Sequence, residues 1–352
     1  MPHYTPTSPV VSVLMVVMGA ERSVRRAVES VQNQTLSNIQ LVVVDAVGSG
    51  QVTRQLESIA ERDLRVELVS AGGCARQEAL DLALERSRGT YVAVVDADGW
   101  AAPKMLEELV DLADDRALEL VVGGFTLALE TAGGRTAELD VASEDEVFLT
   151  QHEFRAAAWR MFATGQLLPA SAKLFRRDRA EEWGARFSAE RESDHGFVIS
   201  YLRDVERVGV SSKTLYHVSR SVAGRPEGGY RHLEEEHEAL LGLYRHWGLE
   251  GDAASMETLQ NRYIEQLVDC VEDICRVGSP VSSGEQRRQV ERMLGTEHVR
   301  FAASVARPRS SQARSMIAPI RAGNVTLVCV QARLLSLLRG ARSLDVAPDA
   351  FV

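Results

Sequence analysis

Residues 91–100 read Tyr91-Val92-Ala93-Val94-Val95-Asp96-Ala97-Asp98-Gly99-Trp100. An unbroken apolar run, mostly β-branched or aromatic, gives way abruptly to two carboxylates spaced one residue apart. A short continuous apolar run suits a strand covered on both faces, as in a parallel sheet. An acidic end suits the carboxyl edge of such a sheet, where open α/β folds bind their ligands.

The same pattern repeats outward from this stretch. Val10–Val17 is almost wholly apolar, Gln40–Asp45 again ends in an acid, and Arg65–Val69 and Leu118–Phe125 supply further strands. Between them, Ala20–Asn33, Gln51–Arg62, Cys74–Arg88 and Lys104–Leu112 carry apolar residues at helical spacing, with Pro103 placed to open the last. Strand–helix alternation predicts an α/β domain whose sheet is mostly parallel and flanked by helices.

Beyond Phe125 the pattern changes. Thr126–Val147 is polar, with Gly133-Gly134 as a hairpin turn, and Thr150-Gln151-His152-Glu153 has the spacing of a capping box that opens a helix to about Ala163. Asp194–Tyr201 reads as a short helix, and two short strands are expected near Val208 and Leu215. From Gly228 the chain turns helical. Met256, Leu259, Tyr263, Leu267, Val271 and Ile274 form one amphipathic stripe that suits an internal core. Pro280–Gly284 and Pro308–Gln312 read as loops, and Leu327–Leu338 as a helix. Two regions follow, 1–225 and 226–352.

At 352 residues and 45% hydrophobic the chain can bury a sizeable core, which excludes a disordered protein. The four cysteines, Cys74, Cys270, Cys275 and Cys329, show neither C-x-x-C nor zinc-site spacing. No secretory signal is evident at Met1–Pro9 and no apolar run reaches the roughly 18 residues of a membrane span, so a soluble cytoplasmic protein is expected. A net charge of −10 argues against a general nucleic-acid binder. Yet His298–Leu344 holds eight arginines and no acid. A basic segment on an acidic body predicts a partner of opposite sign, and peripheral contact with an anionic membrane through 298–344 is one such role.

At the predicted strand ends stand Asp45, Gly72-Gly73 with Arg76 just inside the next helix, and Asp96 with Asp98. Carboxylates that can share a divalent cation with phosphate oxygens, a glycine turn and a nearby guanidinium together suit a nucleoside diphosphate. No G-x-G-x-x-G follows the first strand, which argues against a dinucleotide enzyme.

These segments resemble family 2 glycosyltransferases, whose nucleotide-sugar-binding domain has the GT-A fold. Ser30-Val31-Gln32-Asn33-Gln34-Thr35 is similar to the family's S-x-x-x-Q-T, and Asn38–Asp45 to its N-I-E-I-I-V-V-D. Gly73-Cys74-Ala75-Arg76-Gln77 stands where the family has a glycine and A-R-N. Gly89-Thr90-Tyr91 with Asp96–Trp100 resembles G-x-Y followed by D-x-D-D-W. Ala172-Lys173-Leu174-Phe175-Arg176-Arg177 resembles the N-K-L-[FY]-[RK]-R of members that build or decorate cell-envelope polysaccharides or teichoic acids, and Glu192-Ser193-Asp194 falls where G-E-D carries a catalytic base.

The resemblance implies an inverting, metal-dependent transfer from a nucleotide-sugar, by family frequency a UDP-sugar. The acceptor would be a hydroxyl of a cell-envelope glycan, wall polymer or lipid-linked sugar. Asp45 and Arg76 would contact the nucleobase side of the donor and Asp96 its ribose. Asp98 would hold Mg2+ or Mn2+, and Asp194 would deprotonate the acceptor. Four places depart from the family pattern: Val16-Val17-Met18-Gly19 replaces P-x-[YF]-N, Ala46 replaces the second acid after Asp45, Gln77 replaces the Asn after Arg76, and Gly99 replaces the third acid after D-x-D. These departures leave open a homologue that binds partners without turnover. His217 reads as a structural side chain, and Lys173 as either a phosphate contact or a packed one.

Overall fold

The computed structural model describes residues 8–19, 23–130, 136–187, 194–221 and 229–339. Contact clustering divides them into two compact units. The first takes the described residues up to Ala128, with Glu138–Ala157 and Gln166–Ser219; the second includes Ala158–Gly165 and the residues from Arg220 onward. The boundary expected at 225 lies outside the described residues, as do the Gly133-Gly134 turn, the helix start at Ala20 and Glu192.

In chain order the first unit is built on β1 (Val11–Val17), α1 (Val24–Gln32), β2 (Ile39–Asp45), α2 (Gln51–Ala60), β3 (Val66–Ser70), α3 (Arg76–Arg86), β4 (Tyr91–Val94), β5 (Gly99–Ala101) and α4 (Met105–Arg116). There follow β6 (Leu120–Glu130), β7 (Thr136–Val141), β8 (Glu146–Phe148), α5 (Gln151–Thr164, of which the residues from Ala158 belong to the second unit), β9 (Lys173–Arg176), α6 (Arg177–Glu182), α7 (His195–Leu202) and β10 (Val208–Ser221). The sheet runs β3-β2-β1-β4-β9-β6-β10-β5, with β7 beside β6 and β8 beside β10.

Strands β3, β2, β1 and β4 are parallel, as their apolar runs predict. Every residue of β1 and β2 is buried. In-phase pairing sets Val17 beside Asp45 and Asp45 beside Ser70, so three strand ends finish at one edge. Helix α1 covers the sheet with Val24, Ala27, Val28 and Val31, the i, i+3, i+4, i+7 set of one helical face. Gly89 passes so close to β1 that a Cβ would lie 2.5 Å from Ser12 N and 2.8 Å from Val11 C, which leaves no room for any other residue before β4.

From β9 onward the neighbours pair antiparallel. The two strands expected near Val208 and Leu215 are one 14-residue strand, β10. Its polar middle, Ser211-Ser212-Lys213-Thr214, resembles a turn in sequence but is part of a continuous strand, with Ser212 and Lys213 exposed. One end of β10 pairs with β8 and the other with β5.

The second unit is helical: α8 (Gly229–Trp247), α9 (Ala253–Cys275), α10 (Ser283–Leu294), α11 (Glu297–Val305), α12 (Ser311–Arg321) and α13 (Val325–Arg339). Side chains cap four of these helices: Asp252 accepts from Ser255 N, Ser282 from Glu285 N, Thr296 from Val299 N and Ser310 from Ala313 N. Leu267 and Val271 from the stripe on α9 join Val290, Val299, Met316 and Val328 in a single core. The stripe is internal, as expected.

Candidate active site

Asp45 ends β2 fully buried. One carboxylate oxygen accepts from Val47 N at 2.9 Å and Gly48 N at 3.2 Å, and the other from the Thr53 hydroxyl at 2.6 Å. It therefore fixes the β2–α2 turn. Gly48, at φ +76°, abuts Gly72 in the next loop, where a Cβ on Gly48 would stand 3.0 Å from Gly72 Cα. Two glycines let the two loops touch, so the floor of the cleft edge is backbone.

Arg76 opens α3 directly after that glycine turn. Its Nη2 donates to Asp96 Oδ1 at 2.5 Å, and its Nη1 lies 4.0 Å from Asp194 Oδ2. Burial works against the guanidinium charge, but Asp96 and Asp194 outweigh it and raise the pKa. Three residues from three distant segments are thereby gathered.

Asp96 is gripped from its other side by Tyr216 of β10. The tyrosine hydroxyl donates to Asp96 Oδ2 at 3.1 Å and accepts from Asp96 N at 2.9 Å. Gly99 makes this possible, since a Cβ there would fall 2.7 Å from Tyr216 Cζ and on top of its hydroxyl. The missing third acid is thus a tyrosine site and not a gap.

Asp98 sits half-buried in the β4–β5 turn, where Gly99 N donates to Asp96 O at 3.0 Å. Next to it, the Trp100 ring stacks on its cross-strand partner His217, with centroids 4.8 Å apart and planes within 8°. The Arg26 guanidinium lies 3.6 Å from the Trp100 centroid. Burial lowers the His217 pKa, Glu138 and Asp140 oppose the shift, and Arg26 adds to it. His217 is thus a neutral stacking partner near neutral pH.

Among the described residues no group of three or more His, Cys, Asp or Glu side chains is arranged to hold a metal ion. The donor set fits a different mode. Asp96 is engaged by Arg76 and Tyr216, and Asp98 is a half-buried carboxylate on a turn at the sheet edge. Hard divalent ions commonly take one or two protein carboxylates and complete their shell with water and substrate phosphate. Asp98 is suited to that arrangement.

Asp194 occupies the N-cap position of α7, yet its side chain makes no cap hydrogen bond. Close by in charge terms is Lys173 of β9, which is 1% exposed. Its Nζ donates to the carbonyls of Gln166 at 2.7 Å and Pro169 at 2.5 Å, tying down the loop before β9. Burial lowers the Lys173 pKa to about 7, with the Asp194 charge pulling the other way. Between the two sequence readings of Lys173, the structure shows a packed side chain bound to backbone.

Residues 12–164 match the model of glycosyl transferase family 2. The match supports a family 2 glycosyltransferase. The chain is 25% identical over 303 residues to a Bacillus subtilis (strain 168) protein named uncharacterized glycosyltransferase EpsJ, covering 84% of this chain and 86% of that one. It is 27% identical over 190 residues to the same organism's putative glycosyltransferase EpsH, covering 53% of each. The crystal structure of Staphylococcus aureus TarS 1–349 is similar with a TM-score of 0.61 at 16% identity, over 96% of this chain and 94% of that one; its complex with UDP-GlcNAc gives the same TM-score. The likeness establishes the GT-A fold, a mixed sheet flanked by helices with a helical C-terminal region.

The structure joins Arg76, Asp96 and Asp194 in one charged cluster, with Asp98 two residues from Asp96. Asp45 stands apart, engaged in its own turn. Sequence reasoning missed Tyr216 and Arg26. Tyr216 had a signal in its position within an apolar alternation opposite the acidic motif, but nothing in the chain reveals a partner 120 residues away.

Proposed function

We propose that this glycosyltransferase is an inverting, metal-dependent hexosyl- or N-acetylhexosaminyl-transferase that takes a UDP-sugar as donor. The acceptor is the hydroxyl of a cell-envelope glycan, wall polymer or lipid-linked sugar. It works in the cytoplasm with peripheral contact to an anionic membrane through residues 298–344. The observation that carries the reading is the cluster in which Arg76 spans Asp96 and Asp194 while Tyr216 locks Asp96 from behind. The TarS complexes with UDP-GlcNAc and UDP support a uridine donor on this fold, and the EpsJ and EpsH names support a transferase.

On this reading Arg76 serves the nucleobase side of the donor and Asp96 its ribose. Asp45 acts one step behind, by holding the Val47–Gly48 turn. Asp98 would hold Mg2+ or Mn2+, which supplies positive charge against the diphosphate as it departs. The acceptor oxygen attacks the anomeric carbon from the face opposite the diphosphate. The new C–O bond forms as the bond to the phosphate oxygen breaks, and that electron pair leaves with the nucleoside diphosphate. The acceptor proton passes to the Asp194 carboxylate. Arg76, near both carboxylates, keeps Asp194 directed at the reacting face.

Release of nucleoside diphosphate across a panel of nucleotide-sugars, with glycan and lipid-linked acceptors, tests this. Activity is expected with UDP-sugars and to be lost in Asp98→Ala and in Asp194→Asn. Turnover that survives Asp98→Ala would remove the metal assignment, and turnover that survives Asp194→Asn would remove the base.

A further inference from the structure

Helix α13 is apolar on two sides. Val328 and Ala332 face inward and are fully buried in the helical core. On another face Leu327, Val330, Leu334 and Leu337 stand 42%, 51%, 55% and 58% exposed. Steps of three, four and three residues place these four within one narrow arc of the helix. A helix that is apolar all round is normally covered on all sides, and soluble surfaces rarely present a contiguous aliphatic stripe.

The segment that carries the stripe is one-signed in sequence. Arg321 ends α12 just before the turn into α13 and is exposed, and Arg333 lies beside the stripe, held by Gln286 Oε1 at 2.9 Å. Arg300 and the exposed Phe301 sit together on α11. No acid occurs anywhere from His298 to Leu344.

We propose that the Leu327–Val330–Leu334–Leu337 face of α13 is the element that enters an anionic lipid surface, with Arg300, Arg321 and Arg333 reading the headgroups. The assignment rests on the membrane contact proposed above and supplies its contact face. Charge decides between occupants. In a twofold contact with a second copy the same patch faces itself, which would set arginine against arginine with no acid from residues 298–344 to neutralise either. Protein partners are anchored mainly by Trp, Tyr and Arg in pockets, with Leu and Val under-represented, whereas this face is a convex row of Leu and Val. An apolar stripe bordered by basic side chains is the pattern of helices that lie in the plane of an anionic bilayer. Among the described residues no helix is long and apolar enough to cross one.

The test is flotation of the full chain with vesicles of phosphatidylglycerol and phosphatidylcholine, and with vesicles of phosphatidylcholine alone. The protein should float with the anionic vesicles only. Leu334→Ser/Leu337→Ser, at exposed positions, should lower the bound fraction about fivefold or more without lowering the melting temperature, and about 0.5 M salt should release the wild type. A wild type that ignores both vesicles refutes the membrane contact itself, and equal binding to neutral vesicles refutes the role of the arginines. A double variant that floats like the wild type refutes this face alone. A variant that melts much lower shows the stripe to be packed within the chain, and one that turns a dimer into a monomer in sedimentation shows a second copy there; either result overturns the proposal.

Discussion

Tyr216 holds Asp96 by two hydrogen bonds, one to the carboxylate and one from the backbone amide, in the volume that any side chain at Gly99 would occupy. The two positions are therefore coupled. A Cβ at 99 and a hydroxyl at 216 exclude one another. Asp96 is fixed by a residue of β10, not by a further acid beside it.

Tyr216→Phe should keep the fold and loosen Asp96. Hydrogen bonds to charged groups contribute about 1.5–3 kcal/mol, so urea denaturation should show a loss of that order. The donor KM should rise more than kcat falls. Gly99→Ala should be worse than Tyr216→Phe, because the methyl displaces the whole ring. An alanine variant with wild-type donor KM would show that Asp96 does not need the tyrosine.

Arg76 reaches Asp96 and Asp194 with different nitrogens of one planar group. An ammonium is a point charge and cannot span both. Arg76→Lys should therefore lower kcat/KM about tenfold and Arg76→Ala about a hundredfold, in line with losing one or both charge-assisted contacts. Steady-state kinetics on the UDP-sugar checks this, and a lysine variant at wild-type efficiency would contradict the spanning role.

Lys173 makes stability depend on pH in a definite direction. In the unfolded chain its amine titrates near the ordinary 10.5, and in the folded protein at about 7. Between those values the unfolded chain binds more protons, so folding stability rises with pH across the window, by at most about 1.4 kcal/mol per unit. Below pH 7 both states hold the proton and the slope vanishes. Lys173→Met has no such slope and strips the donor from the Gln166 and Pro169 carbonyls. Its destabilisation relative to wild type should therefore grow by about 2 kcal/mol from pH 7 to pH 9. Equal pH profiles for the two proteins, by chemical denaturation, would show that the amine is not buried as a titrating group.

The parallel half of the sheet and the strand-end acids were legible because burial on both faces writes itself as unbroken apolar runs, as in Val13–Val17 and Tyr91–Val95. Strand β10 was not, since Ser211–Thr214 interrupts its alternation with exposed polar residues that imitate a turn. Strand β5 has three residues and no periodicity to detect. Asp45 was legible as a strand end but not as the anchor of its turn, because Thr53 and the amides of Val47 and Gly48 declare no partner in sequence. Gly99 looked like a loss against the family pattern; only the position of Tyr216 turns it into a fit. Local burial leaves a pattern in sequence, and long-range hydrogen bonding does not.

Within the helical unit, Arg262 of α9 and Glu236 of α8 form an ion pair with both side chains buried, 6% and 8% exposed. Two charges removed from water are tolerable as a pair, and removing one partner leaves the other without its main counter-charge in a low-dielectric site. Arg262→Met should cost about 3–5 kcal/mol in urea denaturation. Replacing both, as Glu236→Met/Arg262→Met, should recover most of that loss, because desolvation of the carboxylate disappears together with its attraction. Coupling is the decisive quantity in this double-mutant cycle. If the double variant is as unstable as the sum of the two single variants, the pair contributes through packing of its aliphatic stems and not through charge.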